Sequence, residues 1–114
     1  MKKNNIIKKN TDFSKIIKSG FKITNSIFNV YILENKKINK FGISISKKVG
    51  NAVKRNKFKR QIRSIIDSYD FNYDGYDIIF ISRLNLKNAK YNDIKSEIFK
   101  VLDMIGEKYE KEKI

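Results

Sequence analysis

The chain contains no cysteine, no histidine and no proline. Without cysteine there is neither a disulfide nor a thiolate metal site. Without histidine the usual general base near neutral pH is missing. No apolar run reaches the ~18 residues that a membrane span needs. The opening MKKNNIIKKN is basic but lacks the apolar stretch of a signal peptide. Acid is also absent over one long interval, because residues 35–66 carry eleven cations and no aspartate or glutamate.

What is present suits one domain with a modest core. The chain has 114 residues, 40% of them hydrophobic, and eight are phenylalanine. The net charge of +14 is uneven. Residues 1–34 hold seven lysines against Asp12 and Glu34, whereas residues 67–114 hold eight cations and ten acids. The excess therefore sits in the first two thirds, as a polyanion-binding face requires. Lys2, Lys3, Lys8 and Lys9 read as general counter-charge rather than a specific site.

Residues 10–20 read as a short helix, capped by Asn10 or Thr11, apolar along Phe13, Ile16 and Ile17, and ended by Gly20. Residues 27–33 read as a strand with Phe28, Val30 and Ile32 on one face and Asn29, Tyr31 and Leu33 on the other. Residues 41–46, FGISIS, alternate between a bulky face and a face of Gly42, Ser44 and Ser46 so small that another group can approach closely. Residues 51–69 form a helix with a buried stripe of Phe58, Ile62, Ile65, Ile66 and Tyr69. A loop turning at Asp74-Gly75 leads to the apolar strand 78–82. A last helix spans 91–105, and the charged end GEKYEKEKI reads as frayed. This order suggests an α+β or α/β two-layer sandwich.

The stretch SKKVGNAVKRNKFKRQIRS, residues 46–64, has five lysines, three arginines and no acid. Arginine is scarce, at four residues against 22 lysines, yet three of the four fall between positions 55 and 63. At 100° per residue, Asn56, Lys59, Arg60 and Arg63 gather opposite the buried stripe, with Lys57 flanking and Arg55 on the edge. A solvated basic face is the ordinary reading of such a pattern. Against it, no acid supplies the i,i+4 partners of a merely soluble helix. Lysine would also serve solubility equally well, whereas guanidinium offers a planar fork of donors that fits phosphates and base edges and stacks on bases.

The segment SKKVGNAVKRNKFKRQIR resembles the signature of the protein subunit of bacterial ribonuclease P, an Arg-Asn-Arg segment followed by Lys-Arg and a further Arg. Arg55, Asn56, Lys59, Arg60 and Arg63 match, and Lys57 replaces the usual third arginine. The opening KKNTDFSKIIKSG and the segment FGISISKKVGNAV are similar to the same family, so the likeness covers essentially the whole chain. It implies a single RNA-binding domain over residues 1–114, an α+β sandwich with a mixed sheet of about four strands and three helices, and a left-handed βαβ crossover through the basic helix. That hand departs from the usual rule.

The resemblance further implies that Lys47, Lys48, Asn51, Arg55, Asn56, Lys59, Arg60 and Arg63 contact a catalytic RNA subunit. A separate cleft, lined by Phe13, Ile17 and Tyr31, receives the single-stranded 5′ leader of precursor tRNA. Ile17 stands where family members often carry an aromatic. From the residues alone, Phe13 reads equally as core or cleft, while Tyr31 shares its strand face with Asn29 beside small residues, as in sequence-tolerant single-strand binders.

The family's chemistry belongs to the RNA: magnesium, held mainly by the RNA subunit and the substrate, supports hydrolysis, and the protein has no catalytic residue or metal site of its own. A cytoplasmic location, with no membrane partner, accompanies that implication. Two other readings fit the basic face, a ribosomal or general structured-RNA-binding protein and a nucleoid DNA-binding protein. An autonomous nuclease would need a carboxylate metal cluster, and the acids lie mostly in the C-terminal third, interleaved with lysine.

Overall fold

The computed structural model describes residues 5–113; Lys2 and Lys3 lie outside them. Three helices, α1 (Asn10–Ser19), α2 (Ala52–Ser68) and α3 (Tyr91–Lys113), accompany four strands, β1 (Phe21–Thr24), β2 (Phe28–Glu34), β3 (Lys40–Ser44) and β4 (Tyr76–Ser82). Short 3₁₀ turns occupy Lys47–Val49 and Leu84–Asn88. The sheet order is β1-β2-β4-β3. The pairs β1–β2 and β2–β4 are antiparallel, whereas β3 and β4 are parallel and joined through α2. The chain is therefore an α+β sandwich on a mixed sheet.

Alternation along the strands separates two cores. Phe28, Val30 and Ile32 of β2 and Ile78 and Phe80 of β4 face α2 and α3, where they meet Ile62, Ile65, Ile66, Ile94, Ile98, Val101, Leu102 and Ile105. The opposite face gives Tyr31, Leu33, Ile79 and Ile81, which pack with Ile7, Phe13 and Ile16. Thus α1 covers part of the face that α2 and α3 leave open.

Gly20 ends α1, its N–H bonding the Ile16 carbonyl at 2.8 Å. A Cβ there would meet the Ile32 carbonyl oxygen at 2.5 Å, so only glycine lets the helix end press onto β2. The expected cap at Asn10 or Thr11 is not formed. The helix already includes both residues, and Lys9 at its N-cap makes no side-chain cap bond.

Two further departures have clear causes. β1 pairs with β2 through four residues, too few to leave a reliable alternation signal. And α3 continues to Lys113 where fraying was expected after residue 105. Its last turns are held by Tyr109 against Tyr73 and Tyr76, with centroids 6.0 and 6.3 Å apart. Lys108 adds a contact 4.6 Å above the Phe21 ring and an ion pair with Glu112 at 2.9 Å.

An aromatic cluster closes the same end of the molecule. Tyr69, Phe71 and Tyr73 meet edge to face at 4.8 and 5.5 Å. Burial pushes the Tyr73 hydroxyl well above its ordinary pKa, and it donates to the Leu102 carbonyl at 2.8 Å. Burial likewise raises Tyr69, helped by its hydrogen bond to Asp103. Both remain neutral donors at ordinary pH, which suits structure and not proton abstraction.

Asn39, buried between β2 and β3, ties this region to the sheet. Its Oδ1 accepts the Tyr76 N–H at 3.1 Å and its Nδ2 donates to the Tyr73 carbonyl at 2.9 Å. One side chain thereby satisfies two backbone groups at the start of β4.

Candidate nucleic-acid interface

The basic helix is launched by two local devices. Ser46 Oγ accepts the Lys48 N–H at 3.2 Å, opening a 3₁₀ turn whose Val49 is fully buried while Lys47 and Lys48 stay exposed. Asn51 Oδ1 then caps α2 by accepting the Lys54 N–H at 3.0 Å. Asn51 thus has a structural task at the place where an RNA contact was expected. Ile62, Ile65 and Ile66 anchor the far side of the helix in the core.

Of the expected contact residues, Lys47, Lys48, Asn51, Asn56, Arg60 and Arg63 are exposed, whereas Arg55 and Lys59 are half-buried. Arg55 lies seven residues before Ile62, so it runs beside the buried stripe rather than on the outer arc. Its Nε is buried with no hydrogen-bond partner among the described residues. A buried donor left unpaired costs about 1–3 kcal/mol, which makes it receptive to an incoming oxygen acceptor.

The electrostatics concentrate positive charge. Ion pairs between described residues occur on α3, joining Lys100 to Glu97 at 3.5 Å and Lys108 to Glu112, and none engages a cation of α2. No acid stands in the first turn of α2 and no base in its last. A helix N-terminus is already positive, so Lys54 and Arg55 reinforce it instead of offsetting it. This charge order is unfavourable for the helix alone and favourable for holding phosphate.

The second expected site lies on the other face of the sheet. One row crosses it through Lys22, Tyr31, Ile79 and Gly42, and the next through Thr24, Asn29, Ile81 and Ser44. Phe13 from α1 drops onto the first row, with its ring where a Cβ of residue 42 would stand. The small face of β3 therefore receives an aromatic side chain. Phe13 is half-buried in the lesser core, and Ile17, one turn on, is 38% exposed at its rim. Tyr31 is half-buried, with the Lys22 ammonium 5.6 Å from its ring centroid. The second row is not roofed by buried apolar groups, since Thr24 and Ser44 are exposed. Phe13, Ile17 and Tyr31 thus border one half-open surface, while the residues of α2 and its approach form another. Lys22 was not foreseen, because its role depends on pairing in the unrecognised β1.

Among the described residues no three acids, histidines or cysteines gather as a metal-holding group, and no helix is long and apolar enough to cross a membrane. An anchored helix whose cations make no ion pair with the described residues, with an aromatic surface on the far face of the sheet, is the arrangement of a protein that binds a folded polyanion. Comparison with known proteins makes this specific. The family model for Ribonuclease P matches residues 1–106. A Clostridium botulinum (strain 657 / Type Ba4) Ribonuclease P protein component is 38% identical over 110 residues, spanning 91% of this chain and 96% of that one. The component from Clostridioides difficile (strain 630) is 42% identical over 98 residues, spanning 81% and 83%. A solved Staphylococcus aureus RNase P protein mutant with defective mRNA degradation activity superposes with a TM-score of 0.82 at 40% identity, over 91% and 90% of the two chains. The chain belongs to the ribonuclease P protein family.

Proposed function

We propose that this chain is the non-catalytic protein subunit of a cytoplasmic ribonuclease P that removes the 5′ leader of precursor tRNA. The observation that carries the reading is the outer flank of α2, where Asn56, Arg60 and Arg63 stand exposed and no described ion pair engages a cation of the helix. Guanidinium groups held this way bind phosphates in two-point contacts with the catalytic RNA subunit. The surface around Tyr31 takes the single-stranded leader, with its ring available for stacking and Lys22 for phosphate. Magnesium is carried mainly by the RNA subunit and the substrate, which supply the chemistry of the cut. The protein's own contribution is to screen two polyanions from each other and to distinguish precursor from product.

Adding the protein to its cognate RNA should lower the magnesium and salt concentrations at which precursor tRNA is processed, and protein alone should cleave nothing. Unchanged processing at near-physiological salt removes the proposal. Tyr31→Ala tests the cleft separately. It should weaken binding of leader-bearing precursor by about fivefold or more, the loss expected for one stacked base, and leave mature tRNA binding unchanged. Equal losses for both RNAs assign the leader to another surface and favour a general structured-RNA binder.

A further inference from the structure

The flank of α2 that begins at Lys57, beside Arg60, is also basic, and it faces a groove. Lys54, Lys57, Phe58 and Gln61 form one wall, and Lys87, Ala89, Lys90 and Tyr91 form the other. The groove has a volume of about 380 Å³. At 100° per residue, Lys57 stands about 60° from Arg60 around the helix axis and Lys54 about 180° from Arg63, so the groove begins beside the arginines and runs away from them.

Three observations say what fits there. All four lysines are exposed, none is in an ion pair with a described residue, and no acid lines the groove. Asp93, close by in sequence, turns its carboxylate to the Lys90 backbone N–H at 3.2 Å and lines a different cavity with Ser26 and Glu97. The floor is apolar and aromatic: Phe58 and Ala89 are half-buried, and Tyr91 is 42% exposed, a large ring left open to solvent. The volume lies near the lower end of small-ligand sites, enough for one nucleotide and too little for a duplex.

We infer that this groove holds a single unpaired nucleotide of the catalytic RNA subunit, its base against Tyr91 and its flanking phosphates among Lys54, Lys57, Lys87 and Lys90. The inference rests on the proposed RNA partnership. The RNA subunit is the occupant, not the leader, because the groove lies on the side of the sheet packed by α2 and α3, whereas Tyr31 looks out from the opposite face. The Arg60 flank and this groove then grip α2 through two adjoining contacts with one RNA.

The test uses the full chain and its cognate RNA subunit. Lysine acetylation, read by mass spectrometry, should modify Lys87 and Lys90 in the free protein and fall several-fold in the binary complex. Lys87→Ala with Lys90→Ala should reduce the slope of log affinity against log salt by about 1.5, as for two phosphates. Tyr91→Ala should weaken binding at least about fivefold, and Tyr91→Phe, which keeps the ring, should restore it. Wild-type protein that fails to bind the RNA overturns the partnership itself. Binding that needs Arg60 and Arg63 but leaves Lys87 and Lys90 fully modifiable overturns the groove alone. Protection that appears only with precursor tRNA, or is relieved by polyglutamate and not by oligonucleotide, overturns the choice of occupant. If Tyr91→Ala does not fold, the acetylation comparison on wild-type protein still decides.

Discussion

Replacing Arg60 and Arg63 together by alanine should lower affinity for the RNA subunit by about a hundredfold or more. In the proposed contact each guanidinium contributes a charge-assisted hydrogen bond to phosphate, worth about 1.5–3 kcal/mol. The salt slope falls at the same time by about 0.7–0.9 for each phosphate contact removed. Thermal stability stays nearly constant, because both side chains are exposed and make no described ion pair. The pair Arg60→Lys and Arg63→Lys separates charge from geometry. It keeps the salt slope but loses about tenfold in affinity, since an ammonium cannot make the two-point contact. Filter binding across a salt series measures all three variants. A double alanine variant with unchanged affinity and slope would place the RNA contact elsewhere.

Gly42→Val is the second large effect, and it acts through packing. A Cβ at residue 42 would lie 2.6 Å from Phe13 Cζ and 3.2 Å from both Cε atoms. The ring cannot stay where it is. It must leave the small core it shares with Ile7, Ile16 and Ile79, and α1 lifts with it. Overpacking of this kind costs about 1–3 kcal/mol, and exposing the ring adds to that. The urea midpoint should drop accordingly, and leader-bearing precursor should lose its preference over mature tRNA. In a Phe13→Ala background the same valine should cost little, because the space it needs is already empty. That non-additivity is the decisive measurement. A Gly42→Val protein with an unchanged midpoint would show that the ring does not seat on β3.

These two positions also show how far the residues alone carry the structure. The basic helix was readable almost to its ends, expected over 51–69 and found over Ala52–Ser68. A period of 3.6 sustained over five turns is a strong signal, and Asn51 is a good capping residue. The bare face of Gly42 and Ser44 was readable as room for a neighbour, but which neighbour was not, since Phe13 is distant in sequence. Arg55 was readable as an edge position, but the half-burial of Lys59, placed on the outer arc, and of the Arg55 Nε was not. Helical geometry fixes their angles, but how deep the stripe sinks depends on α3, which packs later in the chain. Asn39 left no signal, because its value comes from backbone groups more than thirty residues away. The groove beside Tyr91 needed the approach of two segments that no local pattern relates.

β4 occupies the middle of the sheet, paired on one side to β2 and on the other to β3, although it is the last strand to be synthesised. Until residue 82 has left the ribosome, β1 and β2 can form only an isolated hairpin, which is marginal in water, and β3 has beside it no strand but the short bridge from Ile6 to Phe41. Residues 1–82 meanwhile carry eighteen cations against six acids. The nascent polypeptide is thus strongly attracted to nucleic acid before it has the means to fold, so self-association with RNA and acquisition of tertiary structure compete in time during translation.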